Sequence, residues 1–264
     1  MTEKQEKSDK TKKKARLHKV LVTGVAGGIG AATAELFGDE GWYVIGVDRR
    51  FVDAPPGVSR FIRADVSDPD AAKMLFEEVA DEEKYLDAIV NNAAIQVCVP
   101  IVEMDVYDWD RTMASNMRSC FLTTKYGYPL MKGRDAAIVN VSSVHAVATS
   151  ANIAAYASSK GALLAFTRAT AIELAGDKIR VNAVLPGAVD TPMLHAGLMR
   201  GHLAGTDVQS LMDDLGSRTV QGRVGQPREI AQAILFVADH TRSSFMTGQA
   251  LIVDGGATCR LSTE

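Results

Sequence analysis

A chain of 264 residues, 47% hydrophobic and 23% charged, has the profile of a folded globular protein and not of a disordered one. Its apolar runs fall well short of the ~18 residues that a membrane span needs, so no membrane partner is expected. Its three cysteines, Cys98, Cys120 and Cys259, form no CxxC pair and its five histidines no HExxH spacing, which excludes a zinc ribbon, a disulfide framework and a helix-borne zinc protease site.

No metal is expected, and so sparse a cysteine set fits a reducing, cytoplasmic compartment. The net charge of −3 is uneven: residues 1–19 carry +5 and the other 245 carry −8. Residues 1–16 read as a disordered basic tail without the apolar stretch of a secretory signal. Such a tail is either a solvated extension or an arm for nucleic acid. The acidic body opposes a nucleic-acid surface elsewhere, and no nucleic-acid partner is expected.

The rest of the chain alternates strands and helices. Residues 18–23 form a short apolar run ending in glycines, and 28–40 place Ile29, Thr33, Leu36 and Phe37 at helical spacing. Strands follow at 43–48 and 61–64. Asp68-Pro69 then opens a helix, with an N-cap residue before a proline and Ala72, Leu75, Phe76 and Val79 as its stripe. A strand at 86–90, a long helical stretch over 106–132 and a strand at 137–141 come next. They are followed by a helix at 154–175 and a strand at 179–184. A helix at 227–238 and a strand at 251–253 close the series. The strands are apolar runs rather than alternating ones, as expected where both faces are buried. The pattern predicts a single Rossmann-like α/β domain over 17–264, a doubly wound parallel sheet of about seven strands with helices on both faces. Residues 193–226 break the rhythm and read as a substrate lid.

Two constellations carry chemistry. Thr23-Gly24-Val25-Ala26-Gly27-Gly28-Ile29-Gly30 lies between a strand and a helix, where glycines let a pyrophosphate approach backbone N–H groups at a helix N-terminus. Asp48 ends the second strand 18 residues on. A carboxylate there accepts both ribose hydroxyls of the adenosine and repels a 2′-phosphate; the other reading is a turn aspartate. The cofactor expected is NAD. NADP is disfavoured, with Arg49 and Arg50 partly offsetting the repulsion. Farther on, Tyr156 and Lys160 lie four apart on one helix face, with Ser143 at a strand end 13 residues earlier. An ammonium near a phenol lowers its pKa and suits it to exchange a proton with a substrate oxygen, which the serine hydroxyl holds.

With these motifs the sequence resembles the short-chain dehydrogenase/reductases over about 18–257. TGVAGGIG is similar to that family's TGxxxGxG, and Asn91-Asn92-Ala93-Ala94 to its NNAG, with Ala94 in place of the last glycine. Asn116 matches the helix asparagine, and Ser143, Tyr156 and Lys160 the serine and YxxxK. Pro186–Pro192 matches the PGxxxT loop, and Thr247-Gly248-Gln249 through Asp254-Gly255-Gly256 the terminal motif. The resemblance implies a homotetramer built as a dimer of dimers, and a catalytic set of Asn116, Ser143, Tyr156 and Lys160. In that set Tyr156 is the general acid/base, Lys160 lowers its pKa and holds the nicotinamide ribose, Ser143 polarises the carbonyl, and Asn116 holds a relay water. It further implies that Gly24, Gly28, Ile29 and Gly30 line the pyrophosphate, that Asp65, Val66 and Asn92 lie by the adenosine, and that Val189 and Thr191 meet the carboxamide. The activity implied is NAD(H)-dependent interconversion of a secondary alcohol and a ketone or sugar lactone. A non-catalytic NAD sensor on the same fold is expected to lack the tyrosine or the lysine.

The substrate pocket is expected to draw on Gln96, Ser143, His145, Ile153, Tyr156 and Met193, with Leu194 and His195 nearby. Gln96 and His145 resemble those of the 3-hydroxybutyrate dehydrogenase subgroup, and the whole is also partly similar to sugar dehydrogenases. That subgroup's carboxylate-pairing lysine corresponds to Ile153 and its second glutamine to Gly197; Arg200 or His195 is the substitute cation. A neutral aldose, polyol or cyclic alcohol is therefore expected, with a 3-hydroxy acid second. His145 packing in a strand-end turn is the other reading of that residue. Cys98 and Cys120 are read as small core residues.

Overall fold

The computed structural model of the protein describes residues 16–199 and 207–259. The expected basic tail lies outside the described residues except for Arg16, as do 200–206 of the expected lid. Successive strand–helix units build one seven-stranded sheet in the order β3-β2-β1-β4-β5-β6-β7, with every pairing parallel. The first half comprises β1 (Lys19–Thr23), α1 (Gly28–Asp39), β2 (Tyr43–Asp48), β3 (Arg60–Arg63), α2 (Pro69–Glu83) and β4 (Ala88–Asn91). α3 (Val106–Met113) and α4 (Ser119–Met131) follow, joined through Ala114–Arg118 by a turn of π-helix. Then come β5 (Ala136–Val141), α5 (Ala154–Leu174) and β6 (Ile179–Pro186). The last elements are α6 (Pro192–Met199), α7 (Val208–Ser217), α8 (Pro227–Ala238), α9 (His240–Ser243) and β7 (Ala250–Val253).

Side chains on a strand alternate between faces, and the chain uses both. Val20, Val22, Val44, Val90, Val139 and Val184 pack under Leu36 and Phe37 of α1 and Ile230, Ile234 and Val237 of α8. Leu21, Ile45, Ile89, Ile138 and Val181 face the other way, toward Leu75, Phe76 and Val79 of α2, Leu130 and Met131 of α4 and Ala171 of α5. The order reverses between β1 and β4, so a crevice opens beyond the carboxyl ends of those strands. The expected lid at 193–226 is largely helical where it is described, as α6 and α7.

Candidate active site

The crevice begins at the turn after β1. Gly24 has φ +75°, and a Cβ there would lie 2.9 Å from the Ala93 Cα. A Cβ on Gly30 would lie 2.1 Å from the Gly24 carbonyl oxygen, so only glycine lets the turn fold onto the first turn of α1. No side chain caps α1 at Gly27, which leaves its N-terminal N–H groups and positive dipole end facing the crevice. This arrangement fits a dinucleotide pyrophosphate. Thr23 ties the two sides of the switch point together: its Oγ1 accepts from Asn92 N and Ala93 N, both at 3.0 Å. The Asn92 amide donates to the Thr23 and Gly24 carbonyls at 2.9 and 3.2 Å. Asn92 thus fixes the turn from below.

Asp48, at the end of β2, is buried, and Ala26 N donates to its Oδ2 at 3.0 Å. Arg50 donates to Oδ1 from its backbone N at 2.9 Å and from Nε at 3.1 Å. These donors hold the Asp48 carboxyl below its usual range against the opposing effect of burial. Asp65 accepts from Ser67 N and Oγ at 2.9 and 2.7 Å, within its own turn, and Val66 is buried beside it. Across the crevice, the loop after β6 is held by a bridge between Val189 and Gly225 and by Asp190 N donating to the Gly225 carbonyl at 2.9 Å. Thr191 lies against Gly28, its Cγ2 3.0 Å from where a Cβ would stand, and its Oγ1 accepts from Leu194 N in α6.

The structure brings Ser143, Tyr156 and Lys160 together at the same end of the sheet. Ser143 follows β5, and its side chain lies close enough to the Tyr156 hydroxyl to favour the phenolate. Lys160 Nζ lies 5.6 Å from the Tyr156 ring centroid and donates to the Val141 carbonyl at 2.8 Å. Ser142 Oγ in turn donates to the Lys160 carbonyl at 2.9 Å, pinning α5 to β5. The expected effect of Lys160 on the phenol is not the dominant one here. Burial raises the Tyr156 pKa, the nearby Ser143 hydroxyl opposes it, and electrostatic interaction with Cys98 adds to the rise. Burial also pushes Lys160 down to about 8. With its ammonium turned to a backbone carbonyl, Lys160 neither bonds the phenol nor escapes desolvation.

Asn116 lies in the π-helical turn, buried. Its Oδ1 accepts from Ile95 N at 2.8 Å, and its Nδ2 donates to Ile95 O at 2.9 Å and to Ser159 Oγ at 3.0 Å. The side chain is a strut between the loop after β4 and helix α5. The Asn116 carbonyl accepts from Cys120 Sγ at 3.4 Å. Cys120 is buried as expected, whereas Cys98 is half-buried and within electrostatic reach of Tyr156, beside the site and not in the core.

At the substrate end, the His145 ring meets Tyr156 edge-on at 6.0 Å and its Nδ1 lies 3.2 Å from Thr149 Oγ1. Burial lowers the His145 pKa, so the ring is neutral at physiological pH. The Gln96 amide lies 3.8–4.0 Å from where a Cβ on Gly197 would be, so the loop after β4 and helix α6 meet there. Ile153 is buried just before α5, and Met193 is 39% exposed on α6. His195 pairs with Asp190 at 2.8 Å, and Arg200 lies outside the described residues.

A family model described as "Enoyl-(Acyl carrier protein) reductase" matches residues 24–258. The chain is 37% identical over 247 residues to the 3-oxoacyl-[acyl-carrier-protein] reductase of Thermotoga maritima, covering 89% of this chain and 96% of that protein. It is 36% identical over 249 residues to the cyclopentanol dehydrogenase of Comamonas sp., covering 90% and 96%. The ligand-free aldohexose dehydrogenase of Thermoplasma acidophilum superposes with a TM-score of 0.88 at 33% identity, covering 94% of this chain and 96% of that one. The chain belongs to the short-chain dehydrogenase/reductase family.

As a short-chain dehydrogenase/reductase, it is an oxidoreductase that interconverts CH–OH and C=O groups with a nicotinamide dinucleotide. Three features of this dehydrogenase escape a reading by motif: the π-helical turn, the Ser159 contact and Arg50 lying on Asp48. The first is a local change of backbone bonding, the second a side-chain bond across 43 positions and the third a bond between near neighbours in a turn, and none leaves a periodic trace in the sequence. Cys98, read from the sequence as a small core residue, is half-buried beside the site.

Proposed function

We propose that the protein oxidises a neutral secondary alcohol, an aldose, polyol or cyclic alcohol, to its ketone or lactone with NAD, and runs the reverse reaction with NADH. The observation that carries the chemistry is the convergence of Ser143, Tyr156 and Lys160 at the crevice, with Lys160 Nζ 5.6 Å from the Tyr156 ring centroid. In oxidation, Ser143 holds the substrate oxygen and Tyr156 takes its proton. Lys160, within the same pocket, stabilises the phenolate and meets the nicotinamide ribose. Asn116 and Ser159 keep the substrate loop and α5 in register. When bound, the dinucleotide supplies the hydride acceptor or donor, and the protein supplies position and electrostatics. Gly24, Gly28, Ile29 and Gly30 would hold its pyrophosphate, Asp48, Asp65, Val66 and Asn92 its adenosine end, and Val189 and Thr191 its carboxamide. Asp48 favours NAD over NADP.

The neutral-substrate reading rests on the lining of the pocket. Ile153 is buried without charge, burial keeps His145 neutral, and Gln96 faces Gly197, which has no side chain. Gln96 and His145 are suited to bond hydroxyls or a ring oxygen. The similarity to a cyclopentanol dehydrogenase and an aldohexose dehydrogenase supports the same class. The described parts of 193–226, among them helices α6 and α7, act as the substrate lid. The protein works in the cytoplasm, in keeping with its sparse and scattered cysteines, and among the described residues no helix is long and apolar enough to cross a membrane. An NAD-reduction screen at alkaline pH, setting sugars, polyols and cyclic alcohols beside 3-hydroxy acids, tests the reading. The expected hits are neutral alcohols whose KM rises in His145→Ala and Gln96→Ala. Preference for 3-hydroxybutyrate, insensitive to both substitutions, would replace it with the acid reading.

A further inference from the structure

The chain leaves the sheet after β6 and returns at the turn before α8, and these two roots of the lid are bonded to each other. Gly225 N donates to the Ala188 carbonyl and Asp190 N to the Gly225 carbonyl, both at 2.9 Å, in a single parallel bridge between Val189 and Gly225. On the far side of that bridge, Thr191 Oγ1 donates to the Val189 carbonyl at 3.2 Å. The position of Gly225 is set from α8. Glu229, in the first turn of that helix, accepts from Gln226 N at 2.8 Å. It also accepts both arms of the Arg223 guanidinium, Nη1 on Oε2 at 2.8 Å and Nη2 on Oε1 at 2.6 Å. One carboxylate thus holds the residues before and after Gly225. The Arg223 fork first, and the Gln226 N–H second, bring the Glu229 pKa down to about 2, so the pair is fully charged across the neutral range. Arg223 is seated in turn on the last turn of α7: its Cα lies 3.1 Å from where a Cβ on Gly216 would stand, and its N donates to Thr219 Oγ1 at 3.2 Å. A cavity of about 140 Å³ is lined by Ala188, Val189, Arg223, Glu229 and Asp254. Packing therefore does not hold the loop on that side, and the bonds to Gly225 do.

We propose that Arg223 and Glu229 are positioning residues for the nicotinamide end of the cofactor: their ion pair fixes Gly225, and Gly225 fixes the backbone of Ala188, Val189 and Asp190 where the carboxamide is met. This rests on the reading of Val189 and Thr191 as the carboxamide contacts. The two side chains act through the Gly225 backbone and not by touching the dinucleotide. The geometry asks for a planar fork that engages both carboxylate oxygens while the carboxylate keeps Gln226 N, which a lysine ammonium at 223 supplies only in part. The adenosine and pyrophosphate are held across the crevice by the turn after β1 and lie outside the reach of this pair.

The nicotinamide end separates a positioning role from a merely structural one, because ADP-ribose has the adenosine and pyrophosphate of NADH without it. The experiment is a calorimetric titration of NADH and of ADP-ribose against the full chain, Glu229→Gln, Arg223→Met and Arg223→Lys, with a melting curve for each protein. In Glu229→Gln and Arg223→Met the Kd for NADH is expected to rise about 3- to 10-fold, the range of a half-exposed bidentate pair. The Kd for ADP-ribose is expected to stay within about 2-fold of the parent, since that ligand lacks the group the loop meets. Arg223→Lys should fall between parent and Arg223→Met, and it is the variant to read if the other two do not fold. NADH and ADP-ribose weakening together, or an NADH constant unchanged in the folded variants, overturns the proposal and leaves the pair as a cap of α8. An unsubstituted chain that binds NADH no more tightly than ADP-ribose removes the carboxamide reading on which the inference rests. One that binds neither removes the cofactor reading itself, and the inference with it.

Discussion

Tyr156 and Lys160 carry opposite consequences of one cause. Burial disfavours the charged form of each, so the phenol is raised above its usual value and the ammonium brought down to about 8. For alcohol oxidation Tyr156 must accept a proton, so kcat/KM for oxidation should climb through the alkaline range. Carbonyl reduction needs the protonated phenol and should stay level through neutral pH. Paired pH–rate profiles in the two directions check this; an oxidation profile flat from pH 6 to 10 would count against Tyr156 as the base. Tyr156→Phe keeps the ring and removes the proton, and should lower turnover by ~10²–10⁴-fold with dinucleotide binding retained. Lys160 also links folding stability to pH. Its folded pKa is below its ordinary 10.5, so between about pH 8 and 10.5 the unfolded chain binds the proton and the folded chain does not. That makes folding more favourable as pH rises across this window, by about 3 kcal/mol in all. Lys160→Met should therefore raise Tm at pH 7 and remove this alkaline gain, while activity collapses, a trade of stability against function. A Tm at pH 7 unchanged or lowered in that variant would contradict it. At this scale the motif positions were legible in the sequence, but their electrostatics were not: Lys160 donates to Val141, 19 positions away, and burial by the whole fold sets both pKa values.

Among the elements, the strands and long helices could be read in advance because burial on both faces makes strands apolar throughout and the helices show clean stripes. The boundaries moved by one or two residues; β4, for instance, runs over Ala88–Asn91 and not 86–90. The stretch at 106–132 is helical as expected, yet its backbone widens to i→i+5 bonding at Ala114–Arg118, where Ser119 N donates to the Ala114 carbonyl. Residues ASNMR carry no breaker, so nothing local marks the turn; it coincides with Asn116 reaching out of the helix to Ile95. A comparable long-range feature ends α8. Arg180 of β6 is buried and donates through Nη1 to the carbonyls of Val237 and Met246, and through Nη2 to that of Ala238. It satisfies helix-end carbonyls that water does not reach. Arg180→Met leaves those acceptors bare and should destabilise the fold by about 3 kcal/mol, or roughly 6–12 °C in Tm. Thermal melts of a variant within a degree or two of the parent would show that α8 finds another cap.

For the molecule as a whole, the sheet is closed by helices on both faces but open at its edges, and apolar surface collects in two separate places. One lies along α3 and α4, where Val106, Tyr107 and Phe121 are exposed and Met113, Ala114 and Met117 line a groove with Phe121. The other surrounds β7, which pairs only with β6 in the sheet: Ile252 on the strand, Phe236 on α8 and Phe245 after α9 are all exposed, Phe245 completely. Edge strands flanked by exposed aromatic residues invite pairing unless something covers them. Pairing of each face with its own copy would close a dimer of dimers, the assembly that the family resemblance implies. Light scattering is therefore expected to give four times the chain mass of 28.3 kDa at micromolar concentration. Phe245→Glu together with Ile252→Lys should split the assembly to dimers held by the α3–α4 face, and Phe121→Glu should split it across the other face. Combining the two sets should give monomers. The order of these breakages separates the faces: a parent that is already monomeric, or a tetramer untouched by charges at either place, would mean that the exposed apolar residues are not the contacts between copies.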